Sequence, residues 1–215
     1  MEQPIKKIQD YTNRLTITVI GNRFSGKTTL LNNLIFPTII QRKDYIRTNG
    51  YDIRFLSLDN NKNTIIKFFD IGDLDINKNE NVFQAMSWYS HYVIYIIEPK
   101  IKESLEYLDI FEDVFKNNLK ILIFTKMDQV NNDINVFFKD DAATKFIKNN
   151  NITNIFFVNS FDVDSVNKLK CDLINIIFRD LNNNAFGTIK QEDFFKCPIL
   201  FHREKSGVNT RKLGC

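Results

Sequence analysis

Short apolar runs rich in β-branched residues alternate along this chain with longer stretches whose apolar residues recur every three or four positions. The strand-like runs fall at residues 15–20, 51–58, 64–70, 92–98, 119–124 and 154–158. Helical spacing occupies most of the intervals, at 27–35, about 80–89, 102–116, 140–149 and 163–181. The last is the plainest, with Val166, Leu169, Leu173, Ile177 and Leu181 on one face. Residues 51–58 and 64–70 are separated only by Asp59-Asn60-Asn61-Lys62-Asn63, which predicts an antiparallel hairpin. The remaining strands are separated by helices and therefore predict right-handed parallel crossovers. The expected fold is α/β: a six-stranded, mostly parallel sheet with one antiparallel edge strand and helices on both faces. Ligands of such sheets sit beyond the carboxyl ends of the strands, where Gly21, Asp70, Thr125 and Ser160 all fall. The pattern divides the chain into an extension over 1–13, one domain over 14–181 and a tail over 182–215.

The first strand runs straight into Gly21-Asn22-Arg23-Phe24-Ser25-Gly26-Lys27-Thr28. A buried strand, a glycine-bounded loop and a helix start together form a phosphate-binding loop. Gly21 and Gly26 let the backbone turn so that successive N–H groups, from Asn22 through Thr28 and Thr29, point at one anion. Lys27 adds a positive charge at the outer phosphates, and the Thr28 hydroxyl is placed to ligate Mg²⁺. The chain has only seven glycines, which makes this spacing improbable by composition alone.

Two further strand ends carry chemistry. Thr125-Lys126-Met127-Asp128 follows the fifth strand. Guanine presents N1–H and its 2-amino group side by side, and a carboxylate accepts both; adenine offers no such pair. Asp128 is the candidate carboxylate, with the Lys126 stem packing over the ring. A TKxD tetrapeptide alone is equally well a solvated loop, and its position after a phosphate loop is what gives it weight. Asp70, in Phe68-Phe69-Asp70-Ile71-Gly72-Asp73, ends the third strand and can hold a Mg²⁺ water.

These motifs resemble the Ras-type small GTPases over about residues 14–181, and within them an atypical, Rab-like member. The resemblance implies the P-loop GTPase fold and a switch, in Rab-like trafficking or signalling, that binds GTP and GDP with Mg²⁺ and hydrolyses GTP. Thr48 resembles the first-switch threonine, giving a metal set of Thr28, Thr48 and Asp70; Tyr45 matches an aromatic over the phosphates. Asp70–Asp73 corresponds to the DxxG motif, Thr125–Asp128 to NKxD, and Ser160 with Phe161 to the motif that backs the guanine. Protein effectors and regulators would read the segments around Thr48 and from Asp73 to Glu80. The sequence also departs from the family pattern. Asp73 replaces a glycine, Leu74 stands where a water-orienting glutamine is usual, and Thr125 replaces asparagine. Arg23 stands at a loop position that usually carries a small residue. It either supplies an internal cation for hydrolysis or obstructs an activator's arginine. Hydrolysis is accordingly expected to be slow, and a nucleotide-loaded module that does not hydrolyse is the alternative. A P-loop kinase or ATPase is a weaker rival, because it would leave Asp128 without a role.

Composition narrows the picture. A net charge of +3 with interspersed signs does not suggest a nucleic-acid binder. Cys171, Cys197 and Cys215 show no CxxC spacing and fit a reducing, cytoplasmic setting better than a disulfide framework. Asparagine makes up roughly one residue in eight and fills turns. His91 and His202 lack catalytic companions and read as structural or solvent residues. The aromatic run 194–201 is expected to fold back onto the domain. Arg203, Lys205, Arg211 and Lys212 precede Cys215, the one position where lipidation would attach the chain peripherally to a membrane.

Overall fold

The computed structural model describes residues 13–36, 48–58, 64–72, 75, 78–98, 101–130 and 141–183. Six strands form one sheet in the order β2-β3-β1-β4-β5-β6. They are β1 (Asn13–Gly21), β2 (Tyr51–Leu58), β3 (Thr64–Ile71), β4 (Tyr92–Ile97), β5 (Leu119–Phe124) and β6 (Asn154–Phe157). All neighbours run parallel except β2 and β3, which pair antiparallel from Tyr51↔Ile71 to Leu58↔Thr64. The expected α/β sheet with a single antiparallel edge strand is therefore observed.

Among the described residues five α-helices cover the sheet: α1 (Lys27–Ile35), α2 (Glu80–Tyr89), α3 (Ile101–Asp109), α4 (Asp141–Asn149) and α5 (Val163–Asn182). Two cores lie on its opposite faces. One joins Leu30, Leu31 and Leu34 of α1 to Val166, Leu169, Leu173 and Ile177 of α5 over Ile17, Ile94 and Ile123. The other joins Phe83 and Met86 of α2, Leu105 and Leu108 of α3 and Phe146 of α4 over Ile20, Tyr95 and Leu122. Strand β4 is covered on both sides, so all six of its residues are buried and its sequence shows no polar alternation. Each such large side chain contributes about 1.5–3 kcal/mol relative to exposure. Edge strand β2 buries only Leu56 and leaves Phe55 in solvent.

One expected element is shorter. The helical spacing over 102–116 stops being a helix at Asp109, and turns with i→i+3 bonds follow, among them Glu112 N–H to Asp109 O. Phe111 and Phe115 are fully buried there. Core packing of these two rings, rather than helix continuation, accounts for the apolar spacing. Asp162 caps α5 by accepting the Asp164 N–H at 3.2 Å. Among the described residues no helix is long and apolar enough to cross a membrane.

Candidate functional site

Parallel pairing brings the carboxyl ends of β1, β3, β5 and β6 to one edge of the sheet. The loop from Gly21 to Gly26 leaves that edge and turns into α1. Its path needs glycine at the first position because a Cβ on Gly21 would lie 2.6 Å from the Ile96 carbonyl oxygen and 2.8 Å from Ser25 Oγ. Gly26 takes φ +86° immediately before the helix. Phe24 is also left-handed, at φ 66°, although it is not glycine. Such conformations cost energy and tend to gather at functional loops.

Lys27 folds back into the loop it ends. Its ammonium donates to the carbonyls of Gly21 and Asn22, each at 2.8 Å. Burial lowers its pKa to about 8, while the Asp70 and Glu98 carboxylates pull it back upward. Beside it, the Thr28 hydroxyl donates to Asp70 Oδ2 at 2.7 Å and therefore accepts from the Thr48 hydroxyl at 2.9 Å. The three residues expected to share a metal are thus in one hydrogen-bonded line. Asp70 is fully buried, and desolvation raises its carboxyl pKa, opposed by the Thr28 hydrogen bond and by the Arg54 and Lys27 charges. Its Oδ1 has no hydrogen-bond partner among the described residues. Among the described residues no three His, Cys, Asp or Glu side chains gather as a metal site. The donor set is two hydroxyls and one carboxylate, which suits a hard cation that draws its other ligands from water and phosphate.

Four of the seven orphaned polar atoms among the described residues lie at the same edge, the others being on Tyr95, Ser104 and Asn150. Asn22 Oδ1, Ser25 Oγ, Asp70 Oδ1 and Ser160 Oγ are buried without hydrogen-bond partners among the described residues. Unpaired buried groups are rare and call for a ligand, water or ion.

On the other side of the edge, Thr125 is buried and its hydroxyl donates to the Ser25 carbonyl at 2.6 Å, tying the end of β5 to the first loop. Lys126 adopts φ 54°, and its ammonium pairs with Glu98 at 2.9 Å. Asp128 stands exposed in a 3₁₀ turn (Met127–Val130). Ser160 is buried, while Phe161 is exposed and its N–H bonds to Asn159 Oδ1 at 3.0 Å. Arg23 is exposed, with its guanidinium 4.8 Å from the centroid of the Phe24 ring. Thr29 sits half-buried in the first turn of α1. Tyr45, Asp73, Leu74 and Cys215 lie outside the described residues, as do Cys197, His202 and the run 194–201.

Three residues of this edge were not singled out by the sequence pattern. Glu98 accepts from both Asn22 at 3.3 Å and Lys126 at 2.9 Å, bridging the first loop to the segment after β5. It directly follows β4, and that strand-end position was the signal available. Asn33 binds the Ser160 carbonyl, and Arg54 binds Asp70; both are polar residues inside amphipathic elements and carry no motif. His91, expected to be structural, accepts the Thr16 N–H at Nδ1 at 3.1 Å, at the opposite end of the sheet. Compared with models of protein families and with curated proteins, the chain matches none.

Proposed function

We propose that this chain is a guanine-nucleotide-binding switch of the Ras-type small-GTPase superfamily, an atypical Rab-like member that binds GDP and GTP with Mg²⁺ and hydrolyses GTP slowly. The observation that carries the reading is the buried Lys27 ammonium held on two loop carbonyls beside the Thr48–Thr28–Asp70 line. A buried ammonium and a glycine-bounded loop at a helix start suit the phosphates of a nucleotide. Thr28, Thr48 and Asp70 would hold Mg²⁺, which neutralises phosphate charge when bound. Asp128 would accept the two guanine donors, the Lys126 stem would lie across the ring, and the backbone around Ser160 and Phe161 would close the base pocket. Effectors and regulators would meet the segments near Thr48 and from Asp73 to Glu80, and Cys215 is the proposed point of any peripheral attachment to the cytosolic face of a membrane.

A second reading is a nucleotide-loaded module that does not hydrolyse. Leu74 cannot orient a water, and the Arg23 guanidinium is engaged with the Phe24 ring at the protein surface. Identification of the copurifying nucleotide, followed by titration with GDP, GTP and ATP, tests both. Guanine nucleotides should bind and ATP should not, because adenine leaves the carboxylate unmatched. Asp128→Asn should shift preference toward xanthosine nucleotides. Equal affinity for ATP and GTP would refute guanine recognition, and turnover of bound GTP separates the switch from the module.

A further inference from the structure

Arg54 reaches from β2 to the carboxylate at the end of β3. Its Nε donates to Asp70 Oδ2 at 3.3 Å, the oxygen that also accepts the Thr28 hydroxyl. Nη1 donates to Asn32 Oδ1 on α1, and Nη2 pairs with Asp52 Oδ2 at 2.9 Å. The Arg54 side chain is only 20% exposed, and that of Asp70 is fully buried. A guanidinium held on three elements at once has its position fixed by geometry rather than by chance contact.

We infer that Arg54 is a built-in counter-ion for Asp70 that sets how much Mg²⁺ the nucleotide site needs. The inference rests on Asp70 carrying the metal in the proposed nucleotide site. With Oδ2 engaged by Thr28 and Arg54, Oδ1 is the oxygen left for a metal or its water. A fixed cation beside that carboxylate repels a second cation, and the burial of the pair limits screening by solvent and salt. The same guanidinium gives Asp70 a partner when no metal is bound, so the empty site stays assembled. Removing it therefore has two effects of opposite sign: tighter metal binding and a less stable empty protein. A residue that only braced β2 against β3 would weaken both.

The test is a Mg²⁺ titration of the release of a fluorescent GDP analogue from the full chain, paired with thermal melting of the nucleotide-free protein. In Arg54→Gln the Mg²⁺ concentration that half-maximally slows release falls by about tenfold or more. Its metal-free melting temperature falls as well. Arg54→Lys, which keeps the charge, stays close to the wild-type midpoint. Should Arg54→Gln fail to fold, Asn32→Ala frees the guanidinium without changing any charge and moves the midpoint the same way by less. An unchanged or raised midpoint in variants that still bind nucleotide overturns the counter-ion role alone. A wild-type chain that retains no guanine nucleotide at any Mg²⁺ concentration overturns the nucleotide site and the counter-ion role with it.

Discussion

The Asn33 side chain donates to the Ser160 carbonyl at 2.6 Å, joining the last turn of α1 to the segment after β6. Asn33 is 3% exposed and Ser160 is 6% exposed, so water cannot readily replace either partner. Asn33→Ala is expected to cost about 1–3 kcal/mol, the range for leaving a buried group unpaired. Urea denaturation measures that loss. The Ser160 segment is proposed to back the base, so GDP release should also quicken in this variant, whereas an exposed control such as Lys168→Ala changes neither quantity.

Gly21→Ala places a methyl group against backbone rather than against a movable side-chain tip. The clash with the Ile96 carbonyl can be relieved only by shifting β1 against β4 or by displacing the loop. A destabilisation of about 1–3 kcal/mol follows. Retained nucleotide should fall by more than stability does, because the displaced loop is the one that carries Lys27. Nucleotide content after purification, set beside the melting temperature, separates the two losses.

His91 supplies a pH dependence. Burial lowers its pKa to about 4, whereas the unfolded chain titrates near the ordinary 6.5. Between those values the unfolded state binds the extra proton, so stability falls as the pH drops from about 6.5 towards 4 and levels off below it. Carboxylates add their own acid sensitivity. The share due to His91 is read from His91→Gln, whose urea midpoint should change less between pH 7 and pH 5. Identical slopes in the two proteins would assign the sensitivity elsewhere.

Hydrolysis should be slow. On the proposed nucleotide reading, Leu74 has no group with which to orient a water, and Asp73 would add negative charge near the terminal phosphate. Single-turnover GTP cleavage by the Asp73→Gly, Leu74→Gln double variant should exceed the wild-type rate, and by more than Leu74→Gln alone achieves. A wild-type rate that is already ordinary for the class, and is lost in Arg23→Ala, would instead make Arg23 the catalytic residue.

The sheet was legible because each strand announces itself locally. The unbroken apolar run of β4 fits a strand covered on both faces, and the five-residue gap after Leu58 allows only a hairpin. The strand-end motifs were legible for the same reason, since the sheet brings Gly21, Asp70 and Thr125 to one edge whatever the side chains do. Contacts made by single polar residues were not legible. Arg54 looks like an ordinary position on an edge strand until the antiparallel register sets it opposite Phe68 and diagonal to Asp70, and Asn33 becomes significant only when α1 packs beside the segment after β6. The helical spacing past Asp109 misled because Phe111 and Phe115, four apart, satisfy a helix and a tight turn equally well.

Gly72 gives the edge a mechanical property. Its N–H bonds to the Gly50 carbonyl at 2.8 Å, and a Cβ at Gly72 would overlap the Thr48 carbonyl. The backbone leading into β2 and the backbone leaving β3 therefore touch with no side chain between them to act as a cushion. One end can be lifted only by breaking that hydrogen bond and opening the contact, which couples any displacement of Thr48 to the peptide just past Asp70.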